Sequence, residues 1–133
     1  SLRSAIKEYN SIGKRYPNSI YAPEALYRAA MLYVRRRQYD KAFEDLQMVL
    51  GRYPNTRRFN EIVGEQYRIA SALLDGARNR IIFGLLPGFT QREKSIGYFE
   101  TILGNAPYSD YAPLALMNIH SHLQKLRDEG RLN

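Results

Sequence analysis

From Ala25 onward, apolar or small side chains fall at Leu26, Ala29, Ala30, Tyr33 and Val34. That i, i+3, i+4, i+7, i+8 spacing lines one face of an α-helix. After a short polar turn at Arg37 and Gln38, a second stripe runs Tyr39, Ala42, Phe43, Leu46, Val49 and Leu50. Gly51 lies near its end and Pro54 blocks continuation, because proline has no N–H to give and clashes with the preceding turn. Read this way along the chain, the pattern predicts six helices, at 2–15, 20–36, 39–52, 59–76, 91–105 and 110–128. No stretch alternates with period two for long enough to predict a strand.

The helices are punctuated by a recurring mark. Tyr16-Pro17-Asn18-Ser19 returns 37 residues later as Tyr53-Pro54-Asn55-Thr56, and a third copy, Ala106-Pro107-Tyr108-Ser109, follows after another 53 residues. Ser19-Ile20-Tyr21-Ala22-Pro23 returns 90 residues on as Ser109-Asp110-Tyr111-Ala112-Pro113. Asn18-Ser19 is suited to capping the next helix, and Pro23 falls in its first turn, where a missing N–H costs little. A fixed repeat of helix pairs is the signature of a stacked array in which each unit buries its apolar face on a neighbour.

With the terminal proline of the unit set at Pro54, Leu26, Ala29, Ala30 and Tyr33 match the first-helix signature of the tetratricopeptide repeat, and Ala42, Leu46 and Val49 match the second. The same register places Ala5, Tyr9, Ile12 and Pro17 in a preceding partial unit, and Ser95, Phe99, Ile102 and Pro107 in the following one. The chain thus resembles a tetratricopeptide array, which implies an all-α, right-handed α-solenoid of about six helices. The expected division is a lone second helix at 1–19, a repeat at 20–56, a repeat at 57–109 with an apolar insert at 76–90, and the first helix of a further repeat at 110–133. Both ends read as cut from a longer array, since a solenoid needs capping. One departure is His120, which stands where Ala30 stands in the first complete unit.

The insert, Gly76 to Thr90, is apolar as well as rich in Gly and Pro, unlike a polar linker. Either Ile81, Ile82, Phe83, Leu85 and Leu86 pack back on the neighbouring helices, or they form a partner-binding loop. Marks of the Tyr-Pro-Asn-Ser and Tyr-Ala-Pro type, with such an insert in a middle repeat, resemble the BamD (YfiO) family of outer-membrane assembly lipoproteins and, less closely, the Tol–Pal-associated YbgF group. The resemblance implies a protein–protein interaction scaffold of the bacterial cell envelope, lipid-anchored at the periplasmic face of the outer membrane. There it would bind barrel-assembly subunits or unfolded outer-membrane protein segments. The alternatives are a YbgF-like periplasmic coordinator and a regulatory repeat domain of a cytoplasmic protein. By the same resemblance, a concave partner groove is implied at Glu24, Tyr27, Met31, Val34, Arg35, Tyr67, Ser71, Leu74, Met117 and Lys125, and a loop contact at Ile82, Phe83, Leu85, Leu86 and Phe89.

Composition changes this picture in three places. The chain has 133 residues with 20 Lys and Arg against 13 Asp and Glu, a net charge of +7. Arg35-Arg36-Arg37, Arg57-Arg58, and Arg78 with Arg80 lie at predicted helix ends or turns, where they complement the helix dipole. An anionic lipid surface or an acidic partner is the alternative, and no nucleic acid is expected, because no recognition motif accompanies the charge. The absence of Cys removes disulfide scaffolds, thiolate metal sites and cysteine nucleophiles. Eleven Tyr with no Trp suit shallow packing between helices.

No catalytic constellation is legible, and neither an enzyme nor a cofactor or metal is expected. His120 and His122 point to different faces of a helix. Glu61 and Glu65 share a face and are expected to be solvated. Gly84 to Gly88 lacks the Lys-Ser/Thr ending of a phosphate loop.

Overall fold

The three proline marks become three copies of one turn. In a computed structural model, which describes residues 1–82 and 89–130, the closing residue of each helix donates its N–H four residues back: Tyr16 to Ile12, Tyr53 to Val49 and Ala106 to Ile102. Two further bonds of i+3 spacing then carry the chain into the next helix. Ser19 N–H reaches Tyr16 O and Ala22 N–H reaches Ser19 O; Thr56 and Phe59 repeat the pair, as do Ser109 and Ala112. Proline fits the second position of such a turn because its fixed φ is already correct there.

The described elements are α1 (Leu2–Arg15), α2 (Ala22–Arg35), α3 (Tyr39–Arg52), α4 (Phe59–Ile82), α5 (Phe89–Asn105) and α6 (Tyr111–Asp128). All described secondary structure is helical, and successive helices pack in pairs. By internal contacts the chain divides into two units, Ser1–Ile62 and Val63–Asn133, with α4 beginning in the first and running through the second.

In the first unit, α2 packs on both α1 and α3. Leu26, Ala29, Ala30, Ala42 and Leu46 are fully buried, so the small residues of the stripe do sit where helices approach. The closest approach is at Gly13, where an added Cβ would lie 2.5 Å from Leu26 Cγ. Tyr53 of the second mark donates its hydroxyl to Pro17 O of the first, tying one turn to the other. Between α2 and α3, Arg37 adopts φ 59°, with its N–H on Val34 O at 2.9 Å and the Gln38 N–H on Tyr33 O at 2.9 Å. That is a Schellman closure with arginine at the position glycine favours.

In the second unit, α5 packs on α6, and the buried Ser95 hydroxyl donates to Ala70 O of α4 at 2.7 Å. Tyr67 of α4 has Phe99 of α5 at 5.5 Å and Tyr111 of α6 at 5.4 Å between ring centroids. Gly64 leaves room for the Tyr111 ring: a Cβ there would lie 2.7 Å from its Oη.

Three local expectations change. Asn18-Ser19 does not cap α2; Tyr21 is the N-cap without a side-chain bond, and the Ser19 hydroxyl instead accepts from Tyr21 N–H at 3.1 Å. Ser19 stands two residues before that N-cap, so its hydroxyl meets the Tyr21 N–H and not the free N–H groups of the first turn. The fourth helix continues past residue 76 to Ile82. A single glycine in a helix costs only about 1 kcal/mol, and buried Leu74 and Ala77 carry the stripe across Gly76. Of the two carboxylates expected to be solvated, Glu61 is exposed but Glu65 is half-buried and paired with Arg68.

Candidate interaction surfaces

In the first unit, Glu24 lies in the first turn of α2 with Tyr27 three residues further on, and Arg58 stands at the entrance to α4. The Glu24 carboxylate receives Arg58 Nε at 2.9 Å on one oxygen and Arg58 Nη2 at 3.0 Å on the other, with Arg28 Nε also at 3.0 Å. Arg58 Nη1 reaches Glu61 at 3.0 Å, and the Tyr27 hydroxyl donates to the other Glu61 oxygen at 2.7 Å. The guanidinium lies 4.3 Å from the Tyr27 ring centroid, in cation–π range.

This two-pronged clasp holds Glu24 below the usual carboxylate range, first through the Arg58 hydrogen bonds and against some desolvation. Glu61 is lowered too, first by the Tyr27 hydroxyl and then by Arg58. Arg58 is raised in return, mainly by Glu24. The other groove candidates of this unit are freer. Met31 and Val34 are half-buried, and Arg35 is exposed in the last turn of α2.

In the second unit, Tyr67 belongs to the aromatic trio, Leu74 is buried and Ser71 is half-buried. Met117 is 65% exposed on α6. Lys125 is exposed on the same helix, and its ammonium is pushed down by partial burial and by the charges of Arg92 and Arg78. Of the insert candidates, Phe83, Leu85 and Leu86 lie outside the described residues, as do the side chains of Ile82 and Phe89. His120 is exposed and His122 half-buried. Among the described residues no group of three or more His, Asp or Glu converges as a metal site would require. No described helix is long and apolar enough to cross a membrane.

Sequence reasoning missed two features. One is Arg58 as the hub for Glu24, Glu61 and Tyr27; Glu61 is three residues on in α4, but Glu24 is 34 residues back in α2, and only the recurrence of the unit hinted at that pairing. The other is a line of cations on α1, Arg3, Lys7 and Lys14, spaced four and seven residues apart, which only the packing of α1 brings together with Arg36 and Lys41.

Comparison with known proteins agrees with this geometry. Residues 24–56, the span of α2, its turn, α3 and the second proline mark, match the family model of the tetratricopeptide repeat. No curated protein matches the chain. The matched unit is a helix pair of the kind that builds protein–protein interaction scaffolds, and protein partners in general follow from it.

Proposed function

We propose that this scaffold works in the bacterial cell envelope, lipid-anchored at the periplasmic face of the outer membrane, where it helps assemble outer-membrane β-barrel proteins. It would do so by holding partner subunits or unfolded client segments. The observation that carries this reading is the combination of two Tyr-Pro-Asn-Ser/Thr marks, two Tyr-Ala-Pro helix openings and an apolar insert at 76–90 within one unit. The exposed Met117 supports it, because a thioether side chain adapts to varied apolar ligands. Catalysis has no part in the reading. Tyr27 and Tyr67 act chiefly as packing residues in it, since both are already engaged inside their own units.

Capture of purified barrel-assembly subunits, and of peptides with the aromatic-rich ends of outer-membrane proteins, tests the proposal. Leu85→Asp/Leu86→Asp in the insert, or Arg35→Glu/Met117→Asp on the helices, should weaken capture about tenfold while helical circular dichroism stays unchanged. Capture that neither pair alters sinks the reading.

A further inference from the structure

A depression of about 410 Å³ opens in the first unit beside α1, at the corner where α2 turns into α3. Five cations line it: Arg3, Lys7 and Lys14 from α1, Arg36 from the end of α2, and Lys41 from the first turn of α3. A shallower depression, lined by Lys7, Lys14 and Arg15 among others, continues it along α1. From Arg3 to Lys14 the basic line covers about 16 Å at 1.5 Å per residue. Among the described residues Arg3, Lys7 and Arg36 make no ion pair. Lys14 reaches the buried Asp45 only at 3.7 Å, and Lys41 stands 6.0 Å from the Tyr33 ring centroid. Helix-dipole complementation does not account for the line, because Arg3 and Lys7 lie in the first half of α1, where cations oppose the dipole.

The floor is polar as well: Asn10 donates to the Tyr33 hydroxyl at 3.0 Å beneath the cations. The groove lies beside a tetratricopeptide unit, a fold that takes protein partners, and the carboxylates of an acidic polypeptide meet Lys and Arg with charge-assisted hydrogen bonds.

We propose that this groove is a docking site for an acidic polypeptide segment. Side-chain carboxylates meet the five cations. The site is distinct from the groove and insert considered above and does not depend on where the protein works.

The test is fluorescence anisotropy of a labelled, extended peptide of alternating acidic and small residues, titrated at low salt with the whole chain. Saturable binding is expected, weakened about tenfold by Lys7→Glu/Lys41→Glu. The control Arg52→Glu/Arg57→Glu makes the same change in net charge away from the groove and should leave binding nearly unaltered. A peptide of the same length with Asn and Gln in place of its acidic residues should bind at least several-fold more weakly. Equal binding of the amide peptide, or equal loss in both charge-reversal variants, overturns the proposal. So does tighter, Lys7- and Lys41-dependent binding of phosphatidylglycerol vesicles or a single-stranded oligonucleotide, because the ligand is then phosphate and not peptide.

Discussion

Asp45 is the residue whose environment departs most from its chemistry. It lies on the core face of α3, 2% exposed, and burial pushes its carboxyl up to about 6, with Lys14 pulling it back. Between pH 3.8 and about 6 the folded chain keeps a proton that the unfolded chain has lost. Stability therefore falls as pH rises through that window and is level above it. Asp45→Asn should abolish this falling limb and leave the protein roughly 1–2 kcal/mol more stable at pH 7. Lys14 is half exposed and is not stranded by the change. Urea denaturation at stepped pH measures both effects. Glu24 and Glu61 act in the opposite sense: their pKa values are depressed, so their contribution holds at neutral pH and is lost only as acid goes below the usual carboxylate range. Arg37 offers a second test. Its positive φ disfavours any side chain, so Arg37→Gly should stabilise by about 0.5–1 kcal/mol, seen as a raised thermal midpoint.

At the scale of elements, the helix pairs are decided by where backbones are allowed to approach. Gly13 is the clearest case, because Leu26 fills the place a side chain would take. By propensity alone Gly13→Ala should favour α1 by up to about 1 kcal/mol. Displacing a fully buried leucine costs about 1–3 kcal/mol, and the packing term wins. The variant is expected to be less stable in denaturant melts despite its better helix former. A gain in stability would show that Leu26 has a second rotamer to occupy. Aligning the units 90 residues apart puts Leu103 at the position of Gly13 and Leu116 at that of Leu26. Leu116 is 55% exposed where Leu26 is fully buried, so a bulky side chain at the contact goes with an outward leucine on the next helix.

At the scale of the molecule, α6 repeats the opening of α2 but not its burial. Leu116, Met117 and Leu123 stand open on it, and His120 occupies the place of the buried Ala30. Exposed apolar side chains in one line promote association. Leu116→Glu/Leu123→Glu should reduce self-association in sedimentation velocity and change stability by no more than about 0.5 kcal/mol, the range of surface substitutions.

The positions of the helices and of the turns between them were legible in the sequence, because period, proline and capping are local properties that act within one turn of chain. The recurring turn was legible for the same reason, and the tetratricopeptide match covers the unit at 24–56. The continuation of α4 past Gly76 was not, since one glycine is a weak breaker once packing holds the helix on either side. The charge chemistry was not legible either. Glu24 with Arg58, Lys14 with Asp45 and the cations around Asn10 are each assembled from different helices, and which charges end up paired, buried or left facing a groove depends on distances the linear order does not contain. The sequence by itself determined the elements and their repetition, through short-range sterics and periodic burial. Only the tertiary structure decided which polar groups meet, because electrostatic and hydrogen-bond energies depend on through-space separation and on how much water is excluded.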